Sequence, residues 1–210
     1  MRITIFGATG ETGQILTQQA LACGHEVVAY ARNPAKLEIK GNRLKVVQGE
    51  LENQTAIEEA VKGSDAVISV LGPRGASKGL PISRGIQNVL QAMKKCGVKR
   101  IIATATPSAV DPQDSFDLKF KLAILLIRWL IPSAYQEIVK TAEAIRATDL
   151  DWTIVRLPLL NSKPKQGRVI AGYLGKGKVN LPLSRADLVD FLLAQLEDDT
   201  FIKKAPAISN

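Results

Sequence analysis

Short apolar runs alternate with segments of helical spacing along most of the chain. The runs "RITIF" (Arg2 to Phe6), "EVVAY" (Glu26 to Tyr30), "RLKVVQ" (Arg43 to Gln48), "DAVISV" (Asp65 to Val70), "RIIATA" (Arg100 to Ala105) and "DWTIVRL" (Asp151 to Leu157) are rich in β-branched residues. Each is bounded by turn formers and predicts a strand. Between them, Thr12 to Cys23, Gln54 to Val61, Ile82 to Cys96 and Tyr135 to Ala147 place apolar residues three and four apart, which predicts helices. Such alternation predicts an α/β fold, a single-domain doubly wound Rossmann-like parallel sheet with helices on both faces. Crossovers are then right-handed, and ligands bind beyond the carboxyl ends of the strands.

After Pro158 the pattern loosens. "NSKPKQGRVIAGYLGKGKVN" is rich in glycine and lysine and reads as a loop with a short hairpin. "SRADLVDFLLAQLED" (Ser184 to Asp198) reads as a helix with Ser184 as N-cap and Asp187 at the third helical position. The end, "APAISN", reads as a short irregular C-terminal extension; the tail after Pro158 is too short for a second domain and contributes one clear helix, so residues 1–210 read as one domain. "CGHEVVAYA" and "CGVKRIIATA" each run from a helix end through a glycine into a strand, which predicts left-handed glycines closing those helices. The most apolar stretch, "FKLAILLIRWLIP" (Phe120 to Pro132), is interrupted by Lys121 and Arg128 and is too short to span a bilayer. It belongs to a helix expected over Phe116 to Ile131, buried or facing a partner.

Composition narrows the function classes. The net charge is +8, but no basic run exceeds two residues, and five phenylalanines and three tyrosines offer little for base stacking. A solvated basic surface explains the charge better than nucleic-acid binding. Met1 leads straight into a strand, without the pattern of a signal peptide, so a cytoplasmic location is expected. Cys23 and Cys96 lack metal-ligand spacing, and His25 is the single histidine, so histidine triads and histidine-rich metal sites are excluded within one chain.

The first loop carries the candidate chemistry. "GATGETG" (Gly7 to Gly13) follows a strand and opens a helix. The first glycine permits the tight turn, the second lets a pyrophosphate approach the backbone, and the third packs the helix close to the sheet. The phosphates then meet the free amides and positive end of the helix. An NAD site usually ends its second strand with an acid that holds the ribose 2′-OH. Here "VVAYARNP" puts Arg32 and Asn33 there, and a guanidinium grips a 2′-phosphate that an acid would repel. NADP(H) is therefore the expected cofactor.

"GATGETG", "ARNPAKL", "VVQGEL", "DAVISVLG", "NVLQAMKKCGVKRIIATAT" and "DLDWTIVRLP" together resemble the atypical short-chain dehydrogenase/reductases with an NAD(P)H-binding fold. Among these the chain is most similar to the biliverdin-IXβ reductase/flavin reductase branch. The resemblance implies that Gly7, Thr9, Gly10, Glu11, Thr12 and Gly13 cradle the pyrophosphate and that Arg32 and Asn33 face the 2′-phosphate. It further implies that Glu50 and Leu51 border the adenine and that Leu71, Gly72 and Arg74 line the groove. Thr104, Ala105 and Thr106 would lie near the nicotinamide, and Leu157, Pro158 and Leu159 would close the other side. The family also includes NADP-binding redox sensors that do not turn the cofactor over. Two departures stand out: Thr106 where the branch often has serine, and Pro107 where a bulkier residue follows.

The larger short-chain dehydrogenase family uses Tyr-x-x-x-Lys, but Tyr135 and Lys140 are five apart and position 139 is valine, so that pair is absent. Thr106 and Ser108, after the fifth strand, are the remaining catalytic candidates, with turn capping as the competing role. The chemistry expected is hydride transfer from NADPH to a planar conjugated acceptor, a flavin or a biliverdin-like tetrapyrrole, bound by the loops after strands four to six. The alternative is a non-catalytic NADP(H)-binding redox sensor or scaffold that meets a partner through the apolar helix, itself expected to cover an apolar surface beside the nicotinamide end. A sugar-nucleotide epimerase would need a larger substrate domain. The expected assembly is a monomer or weak homo-oligomer without nucleic acid or a transmembrane segment.

Overall fold

The computed structural model describes residues 1–73, 79–176 and 179–210. Its strands are β1 (Arg2–Phe6), β2 (Glu26–Ala31), β3 (Leu44–Gln48), β4 (Ala66–Ser69), β5 (Arg100–Ala105), β6 (Asp151–Arg156), β7 (Leu159–Asn161), β8 (Ile170–Gly172), β9 (Pro182–Ser184) and β10 (Ala207–Ser209). Its helices are α1 (Glu11–Ala22), α2 (Gln54–Val61), α3 (Pro81–Cys96), α4 (Leu118–Leu130), α5 (Pro132–Arg146) and α6 (Arg185–Ala194). Among the described residues, one sheet runs in the order β3-β2-β1-β4-β5-β6-β10-β8. All its neighbours are parallel except β8, which runs against β10.

The sheet is covered on both faces, which explains why successive residues of its central strands are buried, all four in β4 and five of six in β6. Ile3 and Ile5 point to one face and pack with Leu16 of α1 and Leu188 and Leu192 of α6. Phe6 packs on the other face with Ile57 of α2, Ile86 and Met93 of α3 and Ile145 of α5. Thr4, a buried hydroxyl within β1, donates to the Ala60 carbonyl at 2.7 Å and lies 2.7 Å from Ser64 Oγ. The helix ends follow the expected chemistry. Gly24 and Gly97 adopt φ of 90° and 73° after α1 and α3. Ser184 caps α6 by accepting the Asp187 amide at 3.0 Å.

Three expectations change. The helix expected over Phe116 to Ile131, buried or facing a partner, forms as α4, and the buried alternative fails: none of its residues is buried, and it packs on α5, outside both cores. The expected hairpin after Pro158 does not form: β7 pairs in parallel with β9, and β8 pairs with β10. The C-terminal extension carries an ordered strand, because β10 adds to the sheet edge beside β6 and its three residues are fully buried. The local pattern of "AISN" is too short to announce this, and only a free edge beside β6 makes it a strand.

Candidate functional site

β1 and β4 are sheet neighbours whose crossovers leave in opposite directions, which opens a crevice beyond their carboxyl ends. Gly7 follows β1 with φ of 90°, and a Cβ there would meet the Val70 backbone at 3.1 Å. Both the turn and the neighbouring strand therefore demand glycine. The turn closes through the Gly10 amide, which donates to the Gly7 carbonyl at 3.0 Å. Gly13 is tighter still, since a Cβ would lie 2.0 Å from the Gly7 carbonyl oxygen. The backbone of α1 thus begins directly over the turn.

Gly10 is the N-cap of α1 and offers no side chain to its first turn. The amides of Glu11, Thr12 and Gly13 are the kind of donors that a phosphate satisfies. An acid at Glu11 would compete for the same positive end. Arg185, from α6, holds the Glu11 carboxylate at 2.9 Å and donates to Ser162 Oγ at 2.9 Å. The residues present fit a pyrophosphate.

Arg32 follows β2, next to β1; its side chain is exposed and makes no ion pair among the described residues. Asn33 accepts the Ala35 amide at 3.2 Å through Oδ1 and so shapes the short 3-10 turn Pro34–Lys36. After β3, a Cβ at Gly49 would lie 2.2 Å from the Tyr30 hydroxyl, which donates to the Glu50 carbonyl at 2.8 Å. Burial, and then the charges of Glu50 and Glu52, push Tyr30 up to about 12, so it stays a neutral phenol. Glu50 is exposed, whereas Leu51 is partly buried against the core and touches the site of Gly85.

Leu71 likewise packs on the core, and Gly72 borders open space. Arg74 lies outside the described residues. Thr104 donates to the Ser69 carbonyl at 3.4 Å, and the Leu157 amide donates to the Ala105 carbonyl at 2.9 Å. These contacts draw the exits of β4, β5 and β6 together. Thr106 Oγ1 accepts the Ser108 amide at 3.3 Å, a turn-capping bond that leaves its proton available to another acceptor. The Ser108 hydroxyl is buried and has no partner among the described residues. Pro158 is partly buried and Leu159 exposed. The sequence-expected positions outside Arg74 therefore fall along one edge of the sheet. Thr9 and Thr12 are both partly exposed on the first loop.

Reading the sequence missed the groups that hold the far end of this edge. Arg156, the last residue of β6, is 0% exposed. Its guanidinium donates to both Asp114 oxygens, at 2.5 and 2.8 Å, and its Nε donates to the Ala205 carbonyl at 2.7 Å. Asp114 also accepts the Leu174 and Asp111 amides, at 3.0 and 2.9 Å. This node ties the loop after β5 to β6 and to the segment after β8. Burial alone would raise the Asp114 carboxyl, but the Arg156 bond, the two amides and the Arg156 charge together hold it below its ordinary value. Asp187 is a second node: it accepts the Ser184 hydroxyl at 2.6 Å, the Gln166 and Gly167 amides at 2.9 and 2.8 Å, and Asn210 Nδ2 at 3.0 Å. Again burial pushes the carboxyl up and these donors outweigh it. Glu137 of α5 is a third: it accepts the Ile82 and Ser83 amides at 3.1 and 2.7 Å, capping α3 from another helix. Two signals were available in sequence: the charge that ends the apolar strand β6, at Arg156, and the capping position of Asp187, which announces its bond with Ser184 but not its other donors.

Similarity to known proteins agrees with this geometry. A phenylcoumaran benzylic ether reductase of Ginkgo biloba is 32% identical over 151 residues, 64% of this chain and 47% of the relative. The chain spans 12% to 47% of the length of such curated relatives. A short-chain dehydrogenase/reductase of Veillonella parvula, solved in complex with NADP, superposes over 100% of this chain and 94% of its own, with a TM-score of 0.82 at 21% identity. An anaerobillin reductase of Escherichia coli O157:H7 covers 100% of this chain and 97% of its own, with a TM-score of 0.78 at 16% identity. These two show the fold. The model of the NAD(P)H-binding family matches residues 7–199, from the first glycine of the loop to the segment after α6, and the chain belongs to that family.

Proposed function

We propose that the protein is an NADPH-dependent reductase of the atypical short-chain dehydrogenase type that reduces a planar conjugated acceptor, a flavin or a linear tetrapyrrole. The observation that carries the cofactor choice is Arg32, exposed and without an ion pair among the described residues, where an NAD site would place an acid. Gly7 to Gly13 hold the pyrophosphate, Arg32 and Asn33 border the 2′-phosphate, and Glu50 and Leu51 border the adenine. Leu71, Gly72, Thr104, Ala105, Leu157, Pro158 and Leu159 line the groove. The bound nicotinamide supplies a hydride. The chain supplies orientation: Thr106 keeps a hydroxyl proton for a substrate or amide oxygen, and the buried Ser108 hydroxyl stands two residues on.

Support for an acceptor that needs no strong protein acid comes from the phenols. Lys140 is exposed and five residues beyond Tyr135, whose ring instead faces the Arg128 guanidinium at 5.8 Å. Burial raises Tyr30 and Tyr173 above the ordinary phenol value. A conjugated ring accepts hydride when held against the nicotinamide and takes its proton from water. Proximity alone is worth up to about 7–11 kcal/mol of barrier. The NADP-bound and anaerobillin reductase structures named above share the fold and keep this reading in view. The second reading, a cofactor-binding sensor or scaffold, is favoured by the exposed apolar surface of α4.

The test is oxidation of NADPH and NADH across flavins, tetrapyrroles and quinones, with cofactor affinity measured in parallel. Turnover with one acceptor class and preference for NADPH are expected, and Arg32→Asp should lose about 100-fold in NADPH affinity, about 2.7 kcal/mol, while changing NADH little. Equal affinity for both cofactors overturns the 2′-phosphate assignment. Tight NADPH binding without oxidation by any acceptor favours the sensor.

A further inference from the structure

We propose that α4 is a docking surface for anionic lipid bilayers. Its apolar residues are not accounted for by the core. Leu118, Leu122, Leu125, Leu126 and Trp129 are all more than half exposed, Trp129 at 78%. At helical spacing these five fall within about 100° of arc. Phe120, Ile124 and Ile127, on the opposite side, are the partly buried residues that seat the helix. The outward stripe is thus additional to the face used for folding.

Its borders are cationic. Helical spacing puts Lys121 and Arg128 along one side of the stripe and Lys119 along the other, and all three are exposed. From Phe116 to Gln136 the chain has a single carboxylate, Asp117. That carboxylate accepts the Lys119 and Phe120 amides at 2.9 and 3.3 Å as the helix cap. Phe116, 75% exposed, extends the apolar surface at the start of the helix, with Lys121 Nζ 5.2 Å from its ring centre. An apolar ridge centred on a tryptophan and flanked by long cations is the form of a helix lying in a membrane interface, its lysines and arginine reaching up to the headgroups.

Charge decides between occupants. A second copy laid on this face in a two-fold contact would bring the same three cations together and supply only Asp117, already engaged as the helix cap. An anionic surface meets all three. Insertion across the membrane would require the fold to open. No single helix among the described residues is long and apolar enough to cross, and α4 and α5, which together pass by length and composition, are bent by 116°. In α5, Ala134, Glu137, Ile138, Ala142 and Ile145 are buried, so α5 would have to leave the core to join a span.

The experiment is co-sedimentation of the full chain with vesicles of phosphatidylcholine alone and of phosphatidylcholine with phosphatidylglycerol, at low and high salt. Binding to the anionic vesicles at low salt, and its loss at high salt, are expected. The chain has two tryptophans, and Trp152 is 8% exposed, so a Trp152→Phe background makes Trp129 the reporter. Its emission should shift to the blue on the anionic vesicles. Each cation contributes roughly fivefold near such a surface, so Lys121→Gln with Arg128→Gln should weaken binding about 25-fold. Trp129→Ser should weaken it further without changing the circular dichroism. No binding to either vesicle overturns the proposal, as does equal binding to neutral vesicles. A dimer in solution that Trp129→Ser dissociates, with no vesicle binding, assigns the face to a second copy instead.

Discussion

The loop after β1 holds its shape through backbone contacts, whereas the loop after β5 and the segments around β7 and β8 hang on carboxylates held by several donors. In the first, Gly7 and Gly13 let main chain lie on main chain, and no buried charge takes part. In the second, Asp114 and Asp187 each gather donors from segments distant in sequence. On the proposed reading the glycine loop receives a cofactor common to a whole family, and backbone amides recognise phosphate whatever the neighbouring side chains are. On the proposed reading the far loops are shaped for one acceptor, and ionised nodes hold irregular chain that has no ladder of its own. Such nodes are costly to break: without Asp114 the buried Arg156 charge loses its partner, and without Asp187 its part-buried donors lose their acceptor.

The largest expected effect follows from that cost. Asp114→Ala leaves the fully buried Arg156 guanidinium without its two short bonds. It should destabilise the protein by about 3–5 kcal/mol in urea unfolding. A loss below about 1 kcal/mol would mean that water reaches Arg156, and the contrast between the two regions would fail. Gly13→Ala comes next. The added methyl meets backbone rather than a flexible side chain, so α1 must shift, at about 1–3 kcal/mol. Its signature is selective: NADPH affinity should fall while the Asp114 node stays intact, as seen by amide exchange at Leu174.

Acid sharpens the comparison from the other side. Asp114 and Asp187 sit below the ordinary aspartate value of 3.8, despite burial that works the other way. Unfolded, they titrate near the ordinary value. Their stabilisation is therefore complete above it and is lost as pH falls through the lower folded values. The urea midpoint should drop over that range, and Asp114→Asn should flatten the drop. A slope that Asp114→Asn leaves unchanged would assign it to other carboxylates. The smallest effect belongs to chemistry. Thr106→Ala should slow acceptor reduction on the order of tenfold, about 1.4 kcal/mol, and Tyr135→Phe less. Near-total loss in Tyr135→Phe would show that a phenol donates the proton after all.

Much of the framework and of the first loop was legible in the sequence alone. Arg2 to Phe6, Gln54 to Val61 and Arg100 to Ala105 form the elements their patterns predict, residue for residue, and the remaining strands and buried helices move by three residues at most, apart from the α6 helix, which stops four residues early at Ala194. The roles inferred for Gly7 and Gly13 have a counterpart in the space around them. The far region was legible only in part. The apolar run Phe116 to Ile131 marks a helix, but apolarity is the same for a core face and an exposed one, and α4 proved exposed. Asp114, Arg156 and Asp187 look in sequence like ordinary loop, strand-end and helix-start charges.

The division has a physical reason. Periodicity, caps and the needs of a tight turn are local, so the sequence by itself determined the alternating strands and helices, the glycine loop and the arginine that follows β2. Pairing across tens of residues is not local. The choice of β10 as a strand, the 42-residue reach from Asp114 to Arg156, and the gathering of Gln166, Gly167 and Asn210 on Asp187 depend on which segments the sheet brings together. Only the tertiary structure decided those, because a carboxylate's donors are set by where the chain returns, not by its neighbours in sequence.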